Sequence, residues 1–535
     1  MKKEEWNMDD DSNKNWWIVW KEENGKIKLV SKSETGGMIP KGAYLTVDDE
    51  ETKCKFILRV DDSRQDEPFE PSPVIIDMDL SGLSPDRQCK NIVTAYKVKT
   101  FSDRDDGLTS YIRPLCKARQ STQKEINDAM GSTDEKGPEV FVATVSSNDN
   151  SILKDNSKKL ITARLPEDFF YYQTMICGRT GSGKTVAMKY LAQYFVEEKK
   201  GAVLAINVKE KDLLTMDQSS STKNGSVLKE WKTLNKSPHG IGSSGTGSFQ
   251  VYCPAAERTK KNITADTTPI TLRTDKIEPD ALVGALDSIT EMGAAVLPDI
   301  FRHWRDDMKK KKKPIRFSDF ISLISESEDR RFETKNVRDE VSSIVLHSGT
   351  HQSLIRCLNV AAPYFDNESA RMLDWNDILE SGKMSVIDVS GSTKFGALAL
   401  RDILRRLVEA KNNEESSVDL LIIIDEVHQF YRSSNSRDAL GDLDTICRTG
   451  RSMKIGVVFA SQNPSDMPIG VSTVVNTKIF FRTDPQGTKD LGVKITSDEL
   501  DGLRKGFAVA SIYNLPQLKV LKFPMSYAGV RDESQ

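Results

Sequence analysis

Eight consecutive residues, Gly178-Arg-Thr-Gly-Ser-Gly-Lys184-Thr185, carry the clearest chemistry in this 535-residue chain. The spacing G-x-x-x-x-G-K-[S/T] is that of a phosphate-binding loop. Its backbone N–H groups cradle phosphates, its lysine reaches the β- and γ-phosphates, and its hydroxyl holds Mg2+. The candidate nucleotide-binding positions are Gly178, Thr180, Gly181, Ser182, Gly183, Lys184, Thr185 and Val186, with ATP and Mg2+ as the expected cofactors. A second set of polar residues lies far downstream. The apolar run Val418 to Ile424 ends in Asp425-Glu426, which suits one carboxylate helping to hold Mg2+ beside Thr185 and one polarising water for attack on a γ-phosphate. Gln462, at the tip of the next apolar run, can sit beside that phosphate. Arg448 and Arg451, flanking Thr-Gly, can stabilise transition-state charge in a neighbouring subunit's site.

These residues need strands and helices to hold them. Thr174-Met-Ile-Cys177 reads as a buried strand entering the glycine loop. Val186, Tyr190, Leu191, Tyr194 and Phe195 recur at helical spacing, and Gly201 is the expected stop. The helix then presents its N-terminus to an anion. Ala202 to Ile206, Phe249 to Tyr252, Met384 to Val389, Val418 to Ile424 and Ile455 to Gln462 are continuous apolar runs, as expected of parallel strands buried on both faces. A helix is expected from Phe395 to Lys411, with further strands at 474–483, 506–513 and 517–523.

Asp425 lies 241 residues beyond Lys184, more than a typical domain length, so something is inserted. Residues 277–372 break the α/β rhythm and read as an all-helical insertion, and 215–248, rich in Ser, Gly, Thr and Lys, as a long, mobile loop. The run Lys309 to Lys313 could touch a phosphate backbone, although charge runs of this kind are usually solvated. The first 155 residues are β-rich, with the hairpin dipeptide Asn24-Gly25 between two apolar segments. They suggest a small barrel closed by Val140 to Val145, with polar loops at 120–138 and 146–158. Tryptophans near residue 16 suit a core or subunit contact better than a base-stacking platform.

Bulk composition narrows the class. Seven scattered cysteines never form C-x-x-C, which disfavours a disulfide framework or cysteine-rich zinc site. The 76 basic residues nearly balance 79 acidic ones, so any nucleic-acid contact must come from local patches. No apolar run approaches a membrane span, and the charged N-terminus lacks a signal-peptide core. A cytoplasmic protein without membrane contact is expected.

Together, Gly178 to Thr185, Ile424-Asp-Glu-Val-His428, Arg448-Thr-Gly-Arg451 and Ala460 to Pro468 resemble the HerA family, part of the HerA/FtsK group of RecA-like DNA-translocating ATPases. The resemblance implies an α/β, RecA-like P-loop core (156–276 and 373–535), an N-terminal small β-barrel (1–155) and a helical insertion (277–372). It further implies a homo-hexamer with ATP sites at its interfaces and DNA in the central channel. Lys184, Glu426, Gln462 and either Arg451 or Arg448 become the catalytic set, and Thr185 and Asp425 the metal ligands. One position departs from the pattern: Asn207 stands where family members usually carry an acid. The family also implies a separate effector, either a sirtuin-type NAD-hydrolysing enzyme or a nuclease, in anti-phage defence. The alternatives are a ring that chiefly scaffolds such an effector, or a motor paired with the nuclease NurA in end resection.

Overall fold

The structure is a computed structural model. It describes the chain apart from residues 1–15, 33–38, 67–89, 102–110, 131–135, 257–266, 286–288, 431–442, 468–473 and 533–535, and shorter gaps at 147–148, 156, 210–211, 244, 246, 392, 444–445, 490, 494, 496 and 516–517. The far N-terminal charged segment thus lies outside the described residues. Two compact units emerge: the described residues up to Glu167 with Phe480–Arg482 and Ile495–Pro524, and Asp168–Ile479 with Thr483–Lys494 and the described residues from Met525 onward.

In the first unit, β1 (Trp16–Glu23), β2 (Lys26–Lys32), β3 (Tyr44–Asp49), β4 (Cys54–Asp66), β5 (Lys90–Phe101) and β6 (Lys117–Gln120) form a closed barrel in the order β1-β2-β5-β4-β3-β6. Asn24 and Gly25 both take positive φ (52° and 73°), the conformation that matches a two-residue hairpin to the strand twist. Val19, Ile27, Leu45, Phe56, Leu58 and Val93 are fully buried, as period-two alternation requires. Closure comes from β6, which pairs with both β1 and β3, and not from the expected Val140 to Val145. That segment is β7 (Glu139–Ser146), which pairs antiparallel with β8 (Asp149–Ile152), β9 (Thr162–Arg164) and the late strand Lys519–Lys522. The expected polar loop at 120–138 instead holds a short helix, α1 (Gln123–Ala129), with a reciprocal capping box between Thr122 and Glu125. Likewise, β8 occupies part of the expected loop at 146–158.

The second unit is built on parallel strands. These are β10 (Thr174–Cys177), β11 (Ala202–Asn207), β13 (Ser248–Pro254), β14 (Thr267–Ile270), β17 (Lys383–Asp388), β18 (Leu420–Ile424) and β19 (Ile455–Ser461), in the order β14-β13-β17-β11-β18-β19-β10, with β20 (Thr477–Phe480) beyond β10. Every residue of β10, β11, β18 and β19 is buried, which accounts for their unbroken apolar runs. Helix α2 (Lys184–Glu197) buries Ala187, Met188, Leu191 and Phe195. Its end differs from expectation, because Lys200 and not Gly201 takes the left-handed conformation (φ 57°). Gly201 is required for another reason: a Cβ there would lie 2.2 Å from the Phe195 ring.

The segment 215–248 is largely ordered and not the expected long loop. It contains β12 (Ser221–Thr222) and α3 (Gly225–Thr233) and receives the C-terminal segment. Trp231 Nε1 donates to the Met525 carbonyl (2.8 Å), Ala528 N donates to Gln193 Oε1 on α2 (3.0 Å), and Lys189 donates to the Gly529 carbonyl. Between β14 and β17 the chain forms α4 (Glu291–Lys310), α5 (Phe317–Glu326) and α6 (Ser348–Ala361), with Phe301, Trp304 and Phe320 in mutual ring contact. This segment is not all-helical. An antiparallel hairpin, β15 (Arg331–Lys335) and β16 (Val341–Val345), occupies part of the stretch expected to be helix. The β-branched Val341, Ile344 and Val345 favour a pleated strand over a helix there. Helix α7 (Thr393–Asn412) follows β17 close to its expected span. No helix among the described residues is long and apolar enough to cross a membrane.

Candidate functional site

Parallel strands aim their carboxyl ends at one edge of the sheet, where ligands of open α/β sheets bind. β10 ends at Cys177 and runs into the glycine loop, where Gly178 N donates to the Ser461 carbonyl at the tip of β19 (3.2 Å). Gly181 and Gly183 take φ of 80° and 109°, a conformation closed to most side chains, and Gly183 caps α2. Lys184 therefore opens the helix, buried, while Arg179, Thr180 and Gly181 stay exposed.

β18 ends at Ile424 two strands away from β10, with β19 between them. Lys184 Nζ crosses that gap, lying 3.2 Å from Glu426 Oε1 and 3.4 Å from Asp425 Oδ1. Gln462, carried by β19, donates from Nε2 to Glu426 Oε1 (3.1 Å). Glu426 has a left-handed backbone (φ 47°), uncommon for this residue type, and its N–H donates to Asp425 Oδ1 (2.9 Å). Burial acts to raise the Glu426 carboxyl, but Lys184, Lys209 and Gln462 outweigh it and hold the group below its ordinary range. Thr185 Oγ1 donates to Asp212 Oδ2 at 3.5 Å.

Sequence reasoning did not single out the loop after β11. Lys209 Nζ sits 2.9 Å from Glu426 Oε1 and 3.4 Å from Asp425 Oδ2. Burial acts to lower the Lys209 ammonium, but the two carboxylates prevail and raise it. Asn207 is a clamp for this loop. Its Oδ1 accepts from Leu213 N (3.1 Å) and its Nδ2 donates to Asp388 Oδ1 at the end of β17 (3.0 Å). An amide can do both and a carboxylate cannot donate, so the amide at 207 has a structural function. The available signal was a charged run, Asn207 to Asp212, at the tip of a strand beside β18. His428 Nδ1 also approaches Glu426 Oε2 (3.6 Å).

Arg448 and Arg451 stand apart from these residues. Both precede β19, and Arg451 stacks its guanidinium over Tyr172, which precedes β10, at 4.6 Å. They lie at the amino ends of strands whose carboxyl ends carry the other residues. The seven residues of β19 span roughly 20 Å at about 3.3 Å each, so neither arginine reaches its own glycine loop.

The residues fit a magnesium nucleotide. Ser182 Oγ, Ser461 Oγ and Glu426 Oε2 are buried without hydrogen-bond partners in the described structure, and unsatisfied acceptors and donors of this kind call for a polar ligand. The loop offers backbone N–H groups at a helix N-terminus, and Thr185 and Asp425 supply the oxygen donors Mg2+ prefers. Among the described residues no group of three or more His, Cys, Asp or Glu side chains is arranged to hold a metal.

Comparison with known proteins bears on the same region. Residues 173–407 match the family model described as "Helicase HerA, central domain". The match takes in the glycine loop and the Lys209 loop and ends before Asp425. The chain is 29% identical over 128 residues to the DNA double-strand break repair helicase HerA of Pyrococcus furiosus, covering 21% of this chain and 23% of that protein. It is 26% identical over 191 residues to the probable DNA double-strand break repair helicase HerA of Methanocaldococcus jannaschii, covering 28% and 38%. The matched part thus spans well under half of either relative. Among solved structures, VirB4 of Thermoanaerobacter pseudethanolicus aligns with a TM-score of 0.46 at 11% identity, covering 73% of this chain and 97% of that one. The plasmid coupling protein TrwB in complex with ADP and Mg2+ aligns at 0.45 and 11%, covering 72% and 94%.

Proposed function

We propose that this chain, whose residues 173–407 match the family model of the helicase HerA central domain, is an ATP-hydrolysing DNA translocase that works as a homo-hexameric ring. The observation carrying the ATPase reading is the convergence of Lys184, Asp425, Glu426 and Gln462 within 3.1–3.4 Å at one sheet edge. In this reading Lys184 and the loop N–H groups bind the triphosphate, Thr185 and Asp425 hold Mg2+, Glu426 takes a proton from the attacking water, and Gln462 keeps Glu426 oriented. Mg2+, when bound, would supply charge neutralisation for the transferring phosphoryl group.

The ring is supported by the position of Arg448 and Arg451 at the far ends of the strands, out of reach of their own glycine loop. DNA as the substrate is supported by the helicase relatives. A separate effector, sirtuin-type or nuclease, and a role in anti-phage defence rest on family resemblance. Purification together with the neighbouring gene product distinguishes these from pairing with NurA.

The test is ATP turnover with and without double-stranded DNA, in wild type, Lys184→Ala and Glu426→Gln. Loss of roughly 10²–10⁴ in turnover is expected for Glu426→Gln. Wild-type turnover in both variants would refute the site.

A further inference from the structure

The two oxygens of Asp425 face different partners. Oδ1 accepts the Glu426 N–H and faces Lys184, whereas Oδ2, the oxygen left for a metal, is covered by Lys209 at 3.4 Å. The same ammonium lies 2.9 Å from Glu426 Oε1 and 4.0 Å from Asp212 Oδ2, the carboxylate bonded to Thr185. Lys209 thus contacts Asp425 directly and approaches Thr185 only through Asp212. With Lys184 it provides two positive charges against the two negative charges of Asp425 and Glu426. The Asn207 clamp to Asp388 and Leu213 anchors both sides of its loop, and the Lys209 side chain is 38% exposed, so it has a route away from the carboxylates.

We propose that Lys209 is the resident counter-cation of Asp425 and Glu426 in the nucleotide-free site, that it excludes divalent cations from Asp425, and that it gives way only when a triphosphate brings Mg2+ with it. This rests on the nucleotide-site reading and adds to it an order of events: no metal before nucleotide. A dication beside Asp425 Oδ2 and an ammonium at 3.4 Å repel each other, so the two occupy the site in turn. Departure of Lys209 also removes one of three donors from Glu426 Oε1, leaving Lys184 and Gln462 on it.

The test uses full-length protein without nucleotide and Mn2+ as the probe, with free Mn2+ read by electron paramagnetic resonance. Wild type and Lys209→Arg should bind Mn2+ weakly, and Lys209→Met should bind at least ~10-fold more tightly. The gained site should disappear in Lys209→Met/Asp425→Asn. Equal Mn2+ affinity in wild type and Lys209→Met, or a gained site that survives Asp425→Asn, would overturn the proposal. Binding of a fluorescent ATP analogue to wild type with Mn2+ is measured in parallel. Its absence would overturn the nucleotide-site reading itself, whereas its presence with unchanged Mn2+ affinity would overturn the Lys209 assignment alone.

Discussion

Gln462 Nε2 and Lys184 Nζ converge on the same oxygen of Glu426, at 3.1 and 3.2 Å. One donor comes from the strand between the two halves of the site, the other from the glycine loop. On loading, Lys184 turns to phosphate and Gln462 is left to orient the carboxylate. Gln462→Ala should therefore lower kcat by roughly 10²-fold, with nucleotide affinity nearly unchanged. Steady-state turnover beside equilibrium binding checks this. An equal loss in binding would make Gln462 a ligand contact and not an orienting group.

Arg451 stacks on Tyr172 at the strand ends remote from its own glycine loop. Arg451→Ala should lose roughly 10³-fold or more in turnover while still binding nucleotide. Mixed with Lys184→Ala, it should recover activity, because one subunit keeps the loop and its neighbour keeps the arginine. Random mixing makes roughly a quarter of the interfaces competent. No recovery on mixing would place the arginine's effect within its own subunit. Arg448→Ala run alongside identifies which arginine acts.

Lys519 is buried against Arg59 and the face of Tyr44 without a carboxylate partner among the described residues, and burial pushes its ammonium down to about 7. Its unfolded value is ~10.4. Between these values the unfolded chain binds the extra proton, so stability rises as pH climbs from 7 to 10, and the cost of the buried charge is fully present below 7. Lys519→Met should therefore raise Tm at pH 6, with the advantage shrinking towards pH 10. Thermal melts across that range test this, and a difference independent of pH would contradict it.

Trp231 buries its ring and donates to the Met525 carbonyl at 2.8 Å. Trp231→Phe keeps an aromatic ring and strands that carbonyl, costing about 1–3 kcal/mol. Hydrogen exchange should rise at 525–532. Unchanged protection there would show that the C-terminal segment is held by its other bonds alone.

Legibility from sequence followed the range of the interactions. The glycine loop, Asp425-Glu426 and Gln462 were readable because each sits at the end of an apolar run whose burial leaves few alternatives. Lys209 was not, because its role arises from adjacency of β11 to β18, a long-range pairing that no local pattern encodes. The Asn207 clamp was visible only as a departure from a family habit, with its reason lying on β17, 181 residues away. The second strand of the hairpin, Val341–Val345, reads as helix because apolar residues at Val337, Val341, Ile344 and Val345 satisfy helical spacing too. Barrel closure by β6 was missed because four residues, Lys117–Gln120, present a polar sequence with one buried alanine.

A barrel that closes through β6 offers no spare row of backbone donors and acceptors. A protein or peptide that docks by adding a strand has nothing to pair with there. Among the described residues, recognition on the barrel itself must work through side chains, such as the half-exposed Trp20 beneath Lys21. The unextended two-stranded β15–β16 sheet, with Val341 and Val345 outward, is open to strand addition. The two kinds of surface call for different blocking variants: a truncated aromatic on the barrel, and a proline in the hairpin.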